Sequence, residues 1–277
     1  MRCQTVKLII VTTIPGRHFV KNLVTGRALV AQLVRRDFEQ RYVGSVAGWL
    51  WGVVHPVVQL LVWYYVFVVC MHVQPPSGSD SYLMFLFCGF LPWMLFQETV
   101  TRSAGSMVEN ANLITKTVFP SEVLPVSVFL SSLIHHLIGL ALALVSLLII
   151  EKHISSKVFL LPIYMIFVGL LGVGVGWIVS SLQVYLRDTV QVLTVIMMLW
   201  FWITPIMISE DRIPDRFKPL VQWNPLRWIV RAYRDRMLSP AWPHWQEFAV
   251  LTAYSVGVFI LGGLFFRHLK RGFADVL

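Results

Sequence analysis

Apolar residues run along this chain in stretches too continuous for half-buried surface helices. A bilayer core about 30 Å thick takes about 20 apolar residues per helix. Stretches that reach or approach that length are 47–71, 82–96, 123–150, 158–184, 190–208 and 248–266. The second is short and contains Pro92, and the third opens on Pro125. Ahead of the first, residues 17–42 carry a different pattern. Phe19, Leu23, Leu29, Val30, Leu33, Val34 and Phe38 recur at three- and four-residue steps, with Arg and Lys on the other faces. This predicts an amphipathic helix lying in a membrane interface. Two roles stand for it: an anchor on the lipid surface, or a contact with a partner subunit.

Composition removes the soluble alternative. Of 277 residues, 57% are hydrophobic and 13% charged, against about 25% charged in a soluble domain. The formal net charge of +9 would suggest nucleic acid in a soluble protein. In a membrane protein it reads instead as basic ends facing anionic lipid, so no nucleic-acid partner is expected. Cys3, Cys70 and Cys88 make no framework and fit no metal site, although a Cys70–Cys88 disulfide stays open. The run from Leu8 to Ile14 is short and has basic amphipathic sequence after it, so no cleavable signal peptide is expected.

Lys and Arg set the expected topology. Arg2, Lys7, Arg17, Lys21, Arg27, Arg35, Arg36 and Arg41 precede the first span, and Arg267, Lys270 and Arg271 follow the last. Both termini therefore read as cytoplasmic, as do residues 101–122 and the turn 185–189. Residues 72–81, with no Lys or Arg, read as external. The loop 209–247 conflicts with this count. It falls outside yet carries Arg212, Arg216, Lys218, Arg227, Arg231, Arg234 and Arg236. Its prolines break it into short pieces, and Asn224 with Pro225 begins a basic amphipathic helix over 226–237 as N-cap and first helical residue. Two short helices dipping into the outer leaflet would suit it. Its arginines would then meet either anionic lipid or phosphate groups of a substrate.

Candidate chemistry is sparse. There is no P-loop, dinucleotide fingerprint, His-Glu-x-x-His or Cys-x-x-Cys, so no catalytic or metal-binding residue is assigned. ATP hydrolysis through a Walker motif is excluded for this chain. A membrane-embedded transferase would need paired carboxylates at one face, and Asp188 beside Arg187 is a single one. Ionisable groups within spans are the default functional candidates. His55, the adjacent His135 and His136, and Glu98 four residues before Arg102 are the yield. The histidines read as packing and hydrogen-bonding groups or as a proton relay; Glu98 and Arg102 would pair along a helix. Aromatic residues give the larger signal. Trp63, Tyr64, Phe67, Trp93, Phe96 and Phe201 lie in or at the ends of spans. They form either an interfacial belt or a path whose ring faces stack on the C–H patches of sugars. Gly169, Gly172, Gly174, Gly176, Gly262 and Gly263 point to close helix packing.

Five segments, in this order and spacing, resemble the membrane subunits of ABC-2 type exporters for polysaccharides, those that export O-antigen, capsule and teichoic acid. They are RDFEQRYVGSVAGWLWGVVHPVVQLLVWYYVF (36–67), ENANLITKTVFPSEVLP (109–125), YLRDTVQVL (185–193), FWITPIMI (201–208) and WNPLRWIVRAYRD (223–235). The resemblance implies an all-α membrane protein of the ABC-2, or type V exporter, fold. It has six transmembrane helices, an N-terminal amphipathic interface helix within residues 1–46, and re-entrant helices between spans five and six. Residues 47–277 would form the transmembrane domain. It implies a multi-pass protein of a bacterial inner membrane, working as a homodimer with two copies of a separate ATPase that binds the ATP and Mg. This chain itself would carry no cofactor and would not be an enzyme. Residues 105–122 would couple to the ATPase through Glu109, Asn110, Asn112, Leu113, Lys116, Phe119 and Pro120. The cargo would be a lipid-linked polysaccharide, O-antigen-like, with Arg35, Arg36 and Arg41 near its pyrophosphate. A small amphiphile or drug is the alternative cargo.

Overall fold

The computed structural model describes residues 27–40, 48–75, 81–116, 119–152, 154–239 and 242–277. Every regular element among them is helical. Helix α1 (Arg27–Gln40) precedes α2 (Trp51–Trp63), which continues as a π-helical stretch, Tyr64–Cys70. Then come α3 (Tyr82–Glu109), the short α4 (Ala111–Lys116), α5 (Val123–Ile150), α6 (Leu161–Tyr185) and α7 (Thr189–Ile203). A broken segment holds α8 (Lys218–Gln222) and α9 (Pro225–Leu238). Helix α10 (Trp245–Leu269) and the single turn α11 (Phe273–Val276) close the chain. Residues 17–26 and 41–42 of the expected interface helix lie outside the described residues, as does Arg41.

Among the described residues, five helices are long and apolar enough to cross a membrane: Trp51–Cys70, Tyr82–Glu109, Val123–Ile150, Ser156–Tyr185 and Trp245–Gly272. The third matches its expected bounds. Pro125 costs α5 nothing, because it sits in the first turn, where its absent N–H has no helical partner to lose. The expected fifth span is shorter than the pattern indicates. Helix α7 stops at Ile203, about 22 Å at 1.5 Å per residue. Thr204 is extended, the conformation favoured before Pro205.

The second span differs most from expectation. It runs past Phe96 to Glu109, and the polar side chains it turns toward the bundle after Phe96 are small. Thr99, Ser103 and Ser106 are covered, and each donor with a partner turns back on its own helix: Thr99 Oγ1 donates to the Leu95 carbonyl and Ser106 Oγ to that of Ser103. A Cβ on Gly172 or Gly176 of α6 would press on Thr99 or Ser103. The pair is small residue against small residue. Helix α3 is thus the centre of the bundle, packed by α5, α6, α7 and α9.

Helices α6 and α10 cross closely. A Cβ on Gly262 would come within 2.7 Å of the Gly174 carbonyl carbon, and one on Gly174 within 2.7 Å of the Val258 oxygen. The expected role of these glycines holds. Cys70 is exposed and Cys88 buried, both as free thiols, so the disulfide left open by the sequence does not form.

Helix α1 is amphipathic as expected, but its apolar face lies against protein. Val30 and Leu33 are buried in a cluster with Met107, Val123, Leu124, Trp177, Phe266 and Phe273.

Candidate functional site

Two regions carry candidate function. The first is a cleft of about 760 Å³ between α2, α3, α5 and α7. Its aromatic part is built from ring contacts. Trp63 meets Phe90 edge-on at 4.4 Å and Phe201 at 5.9 Å, and Trp93 meets Phe201 at 5.4 Å. Its polar part holds His55, Gln59, Gln97, Glu98, Thr101, His135 and Thr194. Helix α3 supplies much of the wall because Phe90, Trp93, Gln97 and Thr101 recur at three- and four-residue steps on one face. The Trp93 indole N–H donates to Gln97 Oε1 at 2.7 Å and fixes that amide.

The expected aromatic residues divide here. Trp63, Trp93 and Phe201 line the cleft. Phe96 is fully buried behind it, 5.1 Å from Trp200. Tyr64 is exposed, and Phe67 packs 6.1 Å from Tyr82. The sequence reading missed Phe90, Gln59, Gln97 and Thr194. For Phe90 and Gln97 the periodicity with Trp93 was the available signal. His136, at the cleft's back wall, is buried and pairs with the Tyr233 hydroxyl at 3.0 Å, as the hydrogen-bonding reading expects.

The second region is the end of the bundle where α1, α4 and the C-terminus meet. Arg36 donates to Asn110 Oδ1, and the Asn110 amide donates to the Ser106 carbonyl at 2.9 Å. Arg102 pairs with Asp37 at 2.5 Å and with Glu98 at 3.9 Å, so the expected Glu98–Arg102 pair exists and extends to α1. The Phe38 and His135 rings lie 5.6 Å apart. Lys270 pairs with Glu122, whose carbonyl accepts the Trp177 indole N–H at 3.0 Å. Tyr185 donates to the Leu269 carbonyl at 2.8 Å. The residues from four sequence-distant segments therefore share one end.

At that end Glu109, Asn112 and Lys116 are exposed, while Asn110, Leu113, Phe119 and Pro120 are half-buried. Phe119 packs against the cluster around Met107 and Val123, and α4 touches α11. Arg35 is exposed and bound to Glu39 at 2.7 Å. That bond raises the arginine's pKa above its ordinary value. Of the three arginines expected near a pyrophosphate, Arg35 is thus paired within α1 and Arg36 with Asn110 at the end of α3.

The broken segment corrects the expectation for its basic residues. Asn224 caps α9 by accepting from the Leu226 N–H at 3.0 Å, and it also accepts from Trp200 and donates to Thr204. Arg234 and Arg236 face neither lipid nor substrate, since both are buried. Arg234 donates to the carbonyls of Phe85 at 3.1 Å, Pro205 at 2.6 Å and Ile206, and it lies 3.6 Å from the Phe85 ring centre. Arg236 lies 3.9 Å from Glu247, which accepts the Tyr164 hydroxyl at 2.6 Å. Arg227 pairs with Glu210 at 2.6 Å, Lys218 with Asp215 at 2.6 Å, and Arg231 lies 3.7 Å from Asp235. Lys218, Arg227 and Arg231 thus pair with carboxylates of the same segment.

Among the described residues no group of His, Cys, Asp and Glu is arranged to hold a metal ion. A sequence model of the ABC-2 type transporter family matches residues 28–238. The chain is 30% identical over 250 residues to the O-antigen export system permease protein RfbA of Klebsiella pneumoniae, covering 90% of this chain and 95% of that protein. It is 27% identical over 260 residues to the O-antigen export system permease protein RfbA of Myxococcus xanthus, covering 93% and 98%. With the polysialic acid transport protein KpsM of Escherichia coli it shares 24% identity over 213 residues, 76% and 82% of the two chains.

Proposed function

The chain belongs to the ABC-2 type transporter family, and we propose that it is the membrane-spanning permease of a polysaccharide exporter, with O-antigen-like lipid-linked glycan as cargo. The observation that carries this reading is the likeness to two O-antigen export permeases over nearly their whole length. The cleft supports it chemically. Ring faces stack on sugar C–H patches, while amides and hydroxyls pair with sugar hydroxyls, so a long glycan is held weakly at many points and slides.

Export needs an energy source, and this chain has no Walker motif. In the proposed assembly two copies form the path and two copies of a separate ATPase dock below. The docking site is the end of the bundle that carries 105–122, placed in the bacterial cytoplasm with both termini, the membrane being the inner one. The exposed Glu109, Asn112 and Lys116 then face the ATPase. Arg36 on Asn110 would carry its movements to α1. A pyrophosphate-bearing lipid would approach Arg35 and Arg36 at that end, with Arg41 as the third arginine the resemblance implies.

Affinity capture of the chain from gently solubilised membranes, with bound proteins identified by mass spectrometry, tests the assembly. A Walker-motif ATPase that is lost on mutating 109–120 is the expected result. A chain that purifies alone at every detergent strength overturns the reading.

A further inference from the structure

The Trp93 indole fixes the direction of one amide in the cleft. An indole N–H can only donate, so the Gln97 side-chain atom 2.7 Å from it is the carbonyl oxygen. The Gln97 side chain, exposed on the cleft wall, therefore turns its NH2 group to the cleft as a donor. The threonines of the wall have the opposite polarity. Thr101 Oγ1 donates its proton to the Gln97 backbone carbonyl at 2.7 Å, and Thr194 Oγ1 donates to that of Val190 at 2.9 Å. Each hydroxyl then offers the cleft lone pairs alone. Gln59 and the imidazoles of the wall can serve either way. Trp63 and Phe201, both half-buried, supply the apolar part of the same wall.

We infer that Gln97 is a specificity-determining residue, which makes the cleft prefer a glycan bearing acetamido groups over the same backbone bearing hydroxyls. This rests on the reading of the cleft as part of the glycan path. An acetamido group on a sugar brings a carbonyl that can only accept, an N–H that can only donate, and a methyl group. The carbonyl meets the Gln97 donor, the N–H meets a threonine oxygen, and the methyl leaves water for the rings of Trp63 and Phe201. Gln97 and Thr101 stand about 6 Å apart along α3, at about 1.5 Å per residue. A trans amide, with acceptor and donor on opposite edges, bridges such a gap. A hydroxyl presents both functions from one oxygen and carries no methyl. The gain is a hydrogen bond and a buried methyl for each acetamido residue, small enough for a polymer to release one residue as the next arrives.

The test changes one substituent on a constant backbone. The full chain, purified into lipid nanodiscs, is titrated with chitotetraose and with cellotetraose, reading tryptophan fluorescence. Both are neutral, share one backbone and have equal length; the first carries an acetamido group on each residue where the second carries a hydroxyl. A Trp63→Phe variant identifies the signal from the cleft. The expected result is tighter binding of chitotetraose by about tenfold. Gln97→Glu keeps an oxygen to accept the Trp93 N–H but replaces the donor by an acceptor, so it should abolish the preference while cellotetraose still binds. Equal binding of the two by the unaltered chain, preference for cellotetraose, or a preference that survives in Gln97→Glu overturns the inference and leaves the glycan path standing. Failure of both oligosaccharides to change the fluorescence sinks the glycan path itself, and the inference with it.

Discussion

Gly89 and Arg234 occupy one space. A Cβ on Gly89 would lie within 2.8 Å of the Arg234 Cζ, so the glycine of α3 is the slot into which the guanidinium of α9 fits. Three backbone carbonyls from two other segments accept its protons. This joins the start of α3, the end of α7 and helix α9 at a single point.

Gly89→Ala is expected to destabilise the chain by about 1–3 kcal/mol through overpacking. Arg234→Met is expected to cost about as much, by leaving carbonyls unpaired. Thermal unfolding in detergent, followed by size-exclusion chromatography, would measure both. Combining them tests the relationship, because Gly89→Ala should cost less when Arg234 is already Met. Full additivity would mean that the two residues do not share the slot.

The crossing of α6 and α10 depends on the absence of side chains. Gly262→Val places three carbons where the Gly174 backbone lies, and loss of several kcal/mol of stability is expected. Gly263→Ala, whose Cβ would stop 3.4 Å from the Trp177 ring, is the tolerated neighbour. Similar melting temperatures for the two variants would contradict this close approach.

Trp63→Ala removes a ring that meets both Phe90 and Phe201 and is expected to slow polysaccharide export several-fold while ATPase capture stays intact. Trp93 is 1% exposed, so Trp93→Ala should also cost about 3–5 kcal/mol of stability. Surface polysaccharide is the readout. Normal export by a folded Trp63→Ala protein would assign the ring to lipid.

Lys116→Glu changes an exposed side chain on α4 and should weaken ATPase capture without lowering the melting temperature. Phe119→Asp should do both, since Phe119 packs on the cluster beneath. Unchanged capture in both variants would remove the coupling role from this segment.

The parts of this fold legible in the sequence are those set by long apolar runs and by local capping. Val123–Ile150 and the Asn224–Pro225 helix start are examples. Where the sequence misled, the cause was burial of polar groups. Thr99, Ser103 and Ser106 lower hydropathy as an interface would, yet all three are buried, Thr99 and Ser103 against a glycine face of α6. Arg234 and Arg236 sit on an apparently solvent-facing stripe of a basic helix. Only tertiary structure supplies the carbonyls and the Glu247 carboxylate that pair them. The cleft was half legible: its tryptophans stood out, but its amides did not, because Gln59 and Gln97 carry no charge to mark them.

Helix α7 has a last consequence, for the lipid around it. At about 22 Å it is shorter than a typical hydrocarbon core of about 30 Å, while Val192, Val195, Ile196, Leu199 and Trp202 on it are exposed. A bilayer that α7 crosses with this flank toward lipid would pinch toward it, at a fraction of a kcal/mol per ångström of mismatch. A dimpled leaflet shortens the distance a polar headgroup travels. Reconstituted activity should therefore peak in lipids with shorter acyl chains and decline as the tails lengthen, with the protein itself unchanged.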